Sequence, residues 1–127
     1  MSYMLLIHEP VGQRASRSEA EGRALYDQML QWGAGLQARG VLRAGESLAD
    51  ETRGTRVRMQ GGRPQLLDGP FAEAKEMVGG FFLIDVATRA EALAIAQSCP
   101  AANWCTVEVR EVVPCWVGSA EPNAPGR

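Results

Sequence analysis

Apolar residues run from Tyr3 to Ile7 and the run ends at His8, ahead of the breaker Pro10-Val11-Gly12, which predicts a first strand. Ser18 followed by Glu21 matches a capping box, because a Ser hydroxyl can accept from the third helical N–H while the Glu reaches back. A helix over 18–39 follows: Leu25, Met29, Trp32 and Leu36 stack on one face, and Gly40 supplies the stop. Val41 to Leu48 reads as an extended segment with a kink at Gly45. Thr55 to Met59 alternates apolar and charged, as a half-exposed strand does. Gly61-Gly62 suits a left-handed hairpin turn that folds Gln65-Leu66-Leu67 back and delivers Asp68 at the end of the second arm. Gly79-Gly80 opens a strand over Phe81 to Val86. Thr88 and Glu91 form a second capping box, for a helix carrying Ala92, Leu93, Ile95 and Ala96 that must stop by Pro100. The last strand spans Trp104 to Val113, with Cys105, Val107 and Val109 on one face and Thr106, Glu108 and Arg110 on the other.

Without the hairpin this order is βαββαβ, the ferredoxin-like pattern of an α+β domain in which two helices cover one face of an antiparallel sheet. The domain is expected over 1–115, with a flexible tail over 116–127 that is rich in Gly, Ser, Pro and Ala. The uncovered face of such a sheet is normally polar. Here Met4 and Leu6 oppose Leu5 and Ile7, and Phe81 and Leu83 oppose Phe82, Ile84 and Val86, so both faces of two strands are apolar. The second face needs a cover. A homodimer whose sheets face each other around a shared, barrel-like core supplies one, and the hairpin folded over that face is the alternative.

At 127 residues the chain suits one domain, and 46% hydrophobic with 22% charged residues is ordinary for a globular protein. The net charge of -2 and the scatter of the thirteen basic residues argue against nucleic-acid binding. No apolar run is long enough for a membrane span and no signal peptide is evident, so a cytoplasmic location is the expectation. Cys99, Cys105 and Cys115 are an odd set without a Cys-x-x-Cys pair, and read as packing or bystander thiols.

Asp68-Gly69-Pro70-Phe71, with Ala72 to Glu76 and then Gly79 to Val86, closely resembles the signature of the DGPF group of YCII-related proteins. Tyr3 to Ile7, Gly40 to Leu42, Glu91 to Leu93 and Thr106 to Arg110 are similar to that family as well, so the resemblance extends over residues 3–113. It implies a dimeric α/β barrel of ferredoxin-like subunits, a bacterial setting and, for some members, an association with sigma-factor regulation. It implies no particular reaction. The segment also has its own physics: Asp68 caps a turn, Gly69 tolerates unusual backbone angles, Pro70 fixes direction and Phe71 is expected to anchor the corner in the core. The charges of Glu73, Lys75 and Glu76 then project beside Asp68. They are either a solvated face or, with Asp68 to Phe71, the rim of a small polar ligand pocket.

Related proteins are thought to pair a His of the first helix with an Asp preceding a Pro. Here that helix has no His and Cys99 precedes Pro100, so the dyad does not carry over and an enzyme is the less favoured reading. His8 and Asp68 are the weak candidates for a catalytic base. An oxygen-rich metal set of His8, Asp68, Glu73 and Glu76 can be imagined, but no spacing demands it, and no cofactor motif is present. A homodimeric small-molecule-binding or regulatory module is therefore the leading expectation, with acid–base catalysis on a polar metabolite and a protein–protein adaptor in sigma-factor control as the alternatives.

Overall fold

The computed structural model describes residues 1–117, so the flexible tail expected over 116–127 lies, beyond Val117, outside the described residues. Six strands and two α-helices follow one another as β1 (Ser2–Pro10), α1 (Glu19–Ala38), β2 (Leu42–Ser47), β3 (Thr55–Gln60), β4 (Arg63–Asp68), β5 (Glu76–Asp85), α2 (Arg89–Ser98) and β6 (Thr106–Glu111). Strands β2, β5, β1 and β6 form one sheet in that order, with every neighbouring pair antiparallel. This is the ferredoxin-like arrangement, with β3 and β4 inserted as a separate two-stranded hairpin.

The helix ends follow from the capping residues. Ser18 Oγ accepts from the Glu21 amide at 3.1 Å and Glu21 Oε1 accepts from the Ser18 amide at 3.2 Å, the complete reciprocal box. Thr88 accepts from the Glu91 amide at 3.2 Å and starts α2, which ends just ahead of Pro100. In the hairpin, Gly61 and Gly62 take φ of +58° and +78°, the left-handed pair that a two-residue turn requires.

Strand alternation sets the core. Tyr3, Leu5 and Ile7 point toward the helices, where the first two meet Ile84, Leu36 and Ile95. Leu5 and Ile84 are fully buried, each contributing about 1.5–3 kcal/mol through removal from water. Trp32 ties the layers together: its indole N–H donates to Ser98 Oγ at 3.0 Å, and its ring meets Phe82 edge-on at 4.9 Å.

On the opposite face, Met4 and Leu6 of β1 lie beside Leu83 and Phe81 of β5 and are half-buried. Every residue of β3 and β4 is exposed, Val57, Met59 and Leu66 included, so the hairpin buries neither of its own faces against the sheet.

Several details differ from the sequence reading: β1 runs through Pro10, the residue expected to break it, and the last strand is confined to Thr106–Glu111. β5 begins at Glu76, so Gly79 and Gly80 lie inside the strand rather than opening it. The irregularity expected at Gly45 falls between Leu42 and Ala44, and Gly45 instead makes room for the Phe82 ring, 2.7 Å from where its β-carbon would be. Phe71 is half-buried and outside the core: its ring lies 3.8 Å beneath the Arg56 guanidinium, a cation–π contact at the root of the hairpin.

Candidate ligand-binding site

The first half of α1 does not close onto the sheet. Gly33 and Leu36 are buried, whereas Leu25 and Met29 are only half-buried and Tyr26 and Leu30 are exposed. The sheet below presents Gly45, Gly79 and Gly80, and the helix above presents Gly22, Gly33 and Ala34. A cleft of about 560 Å³ remains between them, walled by Ile7, Leu25, Met29, Phe82, Trp104 and Cys105. Mostly apolar walls, a few convergent polar groups and a volume of this order are the ordinary properties of a small-molecule site.

Two of those polar groups, Glu9 and Arg14, form an ion pair, and Arg17, Tyr26, Gln37, Glu46 and Ser47 also line the cleft. The alternation that buries Tyr3, Leu5 and Ile7 also turns Glu9 inward, and its side chain is 7% exposed. A carboxylate so placed needs a counter-charge. Arg14, on the short 3₁₀ turn Arg14–Ser16, supplies it: Nη2 donates to Glu9 Oε1 at 2.5 Å and to Gly79 O at 3.2 Å, while Nη1 donates to Leu48 O at 2.8 Å. Gly79 sits where β5 bulges opposite Ile7 and His8. A β-carbon there would lie 2.1 Å from Glu9 Oε1, so the carboxylate occupies the space of the missing side chain.

The Cys105 thiol is pushed up to about 11, first by burial and then by the nearby Glu9 charge. It is a protonated wall group at neutral pH, and its Sγ lies 3.6 Å from Gln13 Oε1. Burial also raises the Cys99 thiol.

The residues singled out from sequence lie elsewhere, at the root of the hairpin and on the open sheet face. Asp68 is exposed and its Oδ1 accepts the Thr55 hydroxyl at 2.7 Å, closing the hairpin base across the register pair Thr55–Asp68. Gly69 donates to Gly54 O at 2.9 Å and precedes a cis bond to Pro70. The Phe71 amide donates to Glu51 Oε2 at 3.1 Å. Glu73, Lys75 and Glu76 are exposed. Phe71 and Glu76 join His8, Glu51, Arg56 and Val78 around a second cavity of about 430 Å³, whereas Asp68, Gly69, Pro70, Glu73 and Lys75 do not line it. His8 Nε2 is 2.6 Å from Glu108 Oε1, and Glu108 also accepts from Arg110 Nε at 2.8 Å. These contacts hold the Glu108 carboxyl below the usual carboxylate range, the Arg110 bond first and the His8 bond second. Among the described residues there is no group of three or more His, Cys, Asp or Glu side chains placed to hold a metal ion.

Glu9 and Arg14 belong to no motif, yet one signal for Glu9 was present. Continuing the odd-numbered inward face of β1 past Ile7 brings a carboxylate into register with the core.

The class that fold and site define is a ferredoxin-like α+β domain with a ligand-sized cleft beneath its first helix. Residues 1–116 match the YCII-related domain, and the chain belongs to that family. Over 56 residues, 44% of its length, it is 43% identical to an uncharacterized protein of Rhizobium meliloti (strain 1021), and the matched segment spans 45% of that relative. Among the described residues, no helix is long and apolar enough to cross a membrane.

Proposed function

We propose that this protein is a small-molecule-binding module that works as a homodimer, with a ligand held in the α1 cleft of each protomer. The observation that carries the reading is the cleft itself: about 560 Å³ bounded by apolar side chains, with the Glu9–Arg14 pair among its lining. A gap of this kind forgoes the dispersion contacts of a packed core. A ligand restores them.

The pairing of protomers rests on the open sheet face. Met4, Leu6, Phe81 and Leu83 form an apolar centre, with His8, Glu46, Glu108 and Arg110 around it, the distribution expected of a face that meets a second copy. The Asp68–Phe71 corner then frames the hairpin beside that face rather than contacting the ligand.

A thermal-shift screen of apolar fragments tests the site. Ala34 is exposed at the edge of the cleft, so Ala34→Trp fills the opening with little disturbance of the core. Fragments that stabilise the wild-type protein are expected to lose that effect in the variant. If Ala34→Trp retained every response, the cleft would not be the site.

One observation favours a second reading. His8 and Glu108 form an imidazole–carboxylate pair at 2.6 Å, and His8 borders the 430 Å³ cavity, a geometry suited to acid–base chemistry. A turnover abolished in His8→Gln but kept in Ala34→Trp would move the function to that face.

A further inference from the structure

We propose that the α1 cleft selects a mainly apolar small molecule carrying one neutral N–H or O–H donor, and that this donor is received by Oε2 of Glu9. The inference rests on the cleft being the binding site and specifies what it binds.

Glu9 is the one buried charged residue among the described residues, with 5% of its surface exposed. Its Oε1 takes the Arg14 bond, and Oε2 has no partner among the described residues although Glu9 lines the cleft. A buried carboxylate oxygen is rarely left without a donor. A ligand that reaches this oxygen must supply the hydrogen bond or lose affinity.

Beside Glu9 a neutral donor fits better than an ionic one. The Glu9 carboxylate and the Arg14 guanidinium neutralise each other, so a charged group entering beside them would be desolvated without a counter-ion of its own. Arg14 Nη2 gives both of its N–H groups, to Glu9 and Gly79 O, and Nη1 gives one to Leu48 O, while Arg17 is a second cation in the lining, away from that pair. The walls set the rest of the class. Phe82 and Trp104 present aromatic surface and Met29 a polarisable thioether, which favour a flat, ring-containing body.

Indole and benzofuran separate the donor from the shape, since the two are nearly isosteric but only indole donates. Their affinities are measured by displacement of Nile red from the wild-type protein, from Glu9→Gln and from Ala34→Trp. The wild type is expected to prefer indole by about tenfold or more, the usual worth of a hydrogen bond to a charged acceptor. In Glu9→Gln, where an amide N–H₂ can replace the free oxygen, that preference should vanish or reverse. Equal wild-type affinities for the two would overturn the donor assignment while leaving the cleft in place. Displacement by neither, with a Nile red signal unchanged in Ala34→Trp, would overturn the cleft and the ligand class together. If Glu9→Gln does not fold, the wild-type comparison alone decides.

Discussion

Gly79 and the Glu9 carboxylate compete for one position: a β-carbon on Gly79 would stand 2.1 Å from Glu9 Oε1 and 3.0 Å from Arg14 Nη2. The bulge in β5, the inward charge of β1 and the reach of Arg14 are therefore one feature. Gly79→Ala must push the ion pair out of place. We expect a loss of about 2–3 kcal/mol, in the range of overpacked buried sites. Urea denaturation followed by circular dichroism checks it, and a midpoint within error of wild type would mean that the pair moves aside freely.

Glu108 carries the pH dependence of the open face. Its folded pKa is depressed, chiefly by Arg110 and then by His8, so its contribution to stability is present above the unfolded carboxylate pKa of about 4.3 and is lost as pH falls through the lower folded value. Carbon-detected NMR titration should place its midpoint below the ordinary range. Arg110→Ala should move that midpoint upward, and an unmoved midpoint would assign the shift to another cause.

Thiol chemistry orders the cysteines. Cys115 is exposed, Cys105 is partly covered with its thiol pushed up to about 11, and Cys99 is buried. With the thiolate as the reactive form, iodoacetamide at pH 8 should label Cys115 first and leave Cys105 largely unmodified. Mass spectrometry resolves the order, and early modification of Cys105 would show that the cleft opens or that its burial is incomplete.

Most of the fold was legible because it rests on local rules. The Ser18–Glu21 and Thr88–Glu91 signals mark helix starts, Gly61-Gly62 marks the hairpin, and alternation along β1 and β6 gives the inward faces. What resisted was anything set by volumes brought together from distant segments. Gly45 reads as a kink in sequence but is a seat for Phe82, and Gly79 reads as a strand start but yields to Glu9. The cleft is lined from α1, β2 and β5 together, and no single stretch of chain records it. The Asp68–Phe71 segment had the opposite character: its motif was conspicuous, while its bonds to Thr55, Gly54 and Glu51 serve the root of the hairpin.

Pairing through the open face predicts the effect of one charge. Leu6 lies beside Phe81 at the centre of that face, and Leu6→Glu would set like charges against each other across a two-fold interface at a cost of several kcal/mol. Sedimentation velocity should then report a monomer with unchanged far-ultraviolet circular dichroism, against a dimer for the wild type. A wild-type monomer at micromolar concentration would remove the dimer from the account.

The claim that ligands enter beneath α1 is tested most directly by mapping indole onto amide ¹H–¹⁵N NMR spectra of the wild-type protein. The account predicts that the largest shifts fall on Gly33, Gly79, Gly80 and Trp104, which line the cleft, with Asp68 and the hairpin unaffected. Shifts centred instead on His8, Phe71 and Glu76 would place the site in the open-face cavity and contradict it.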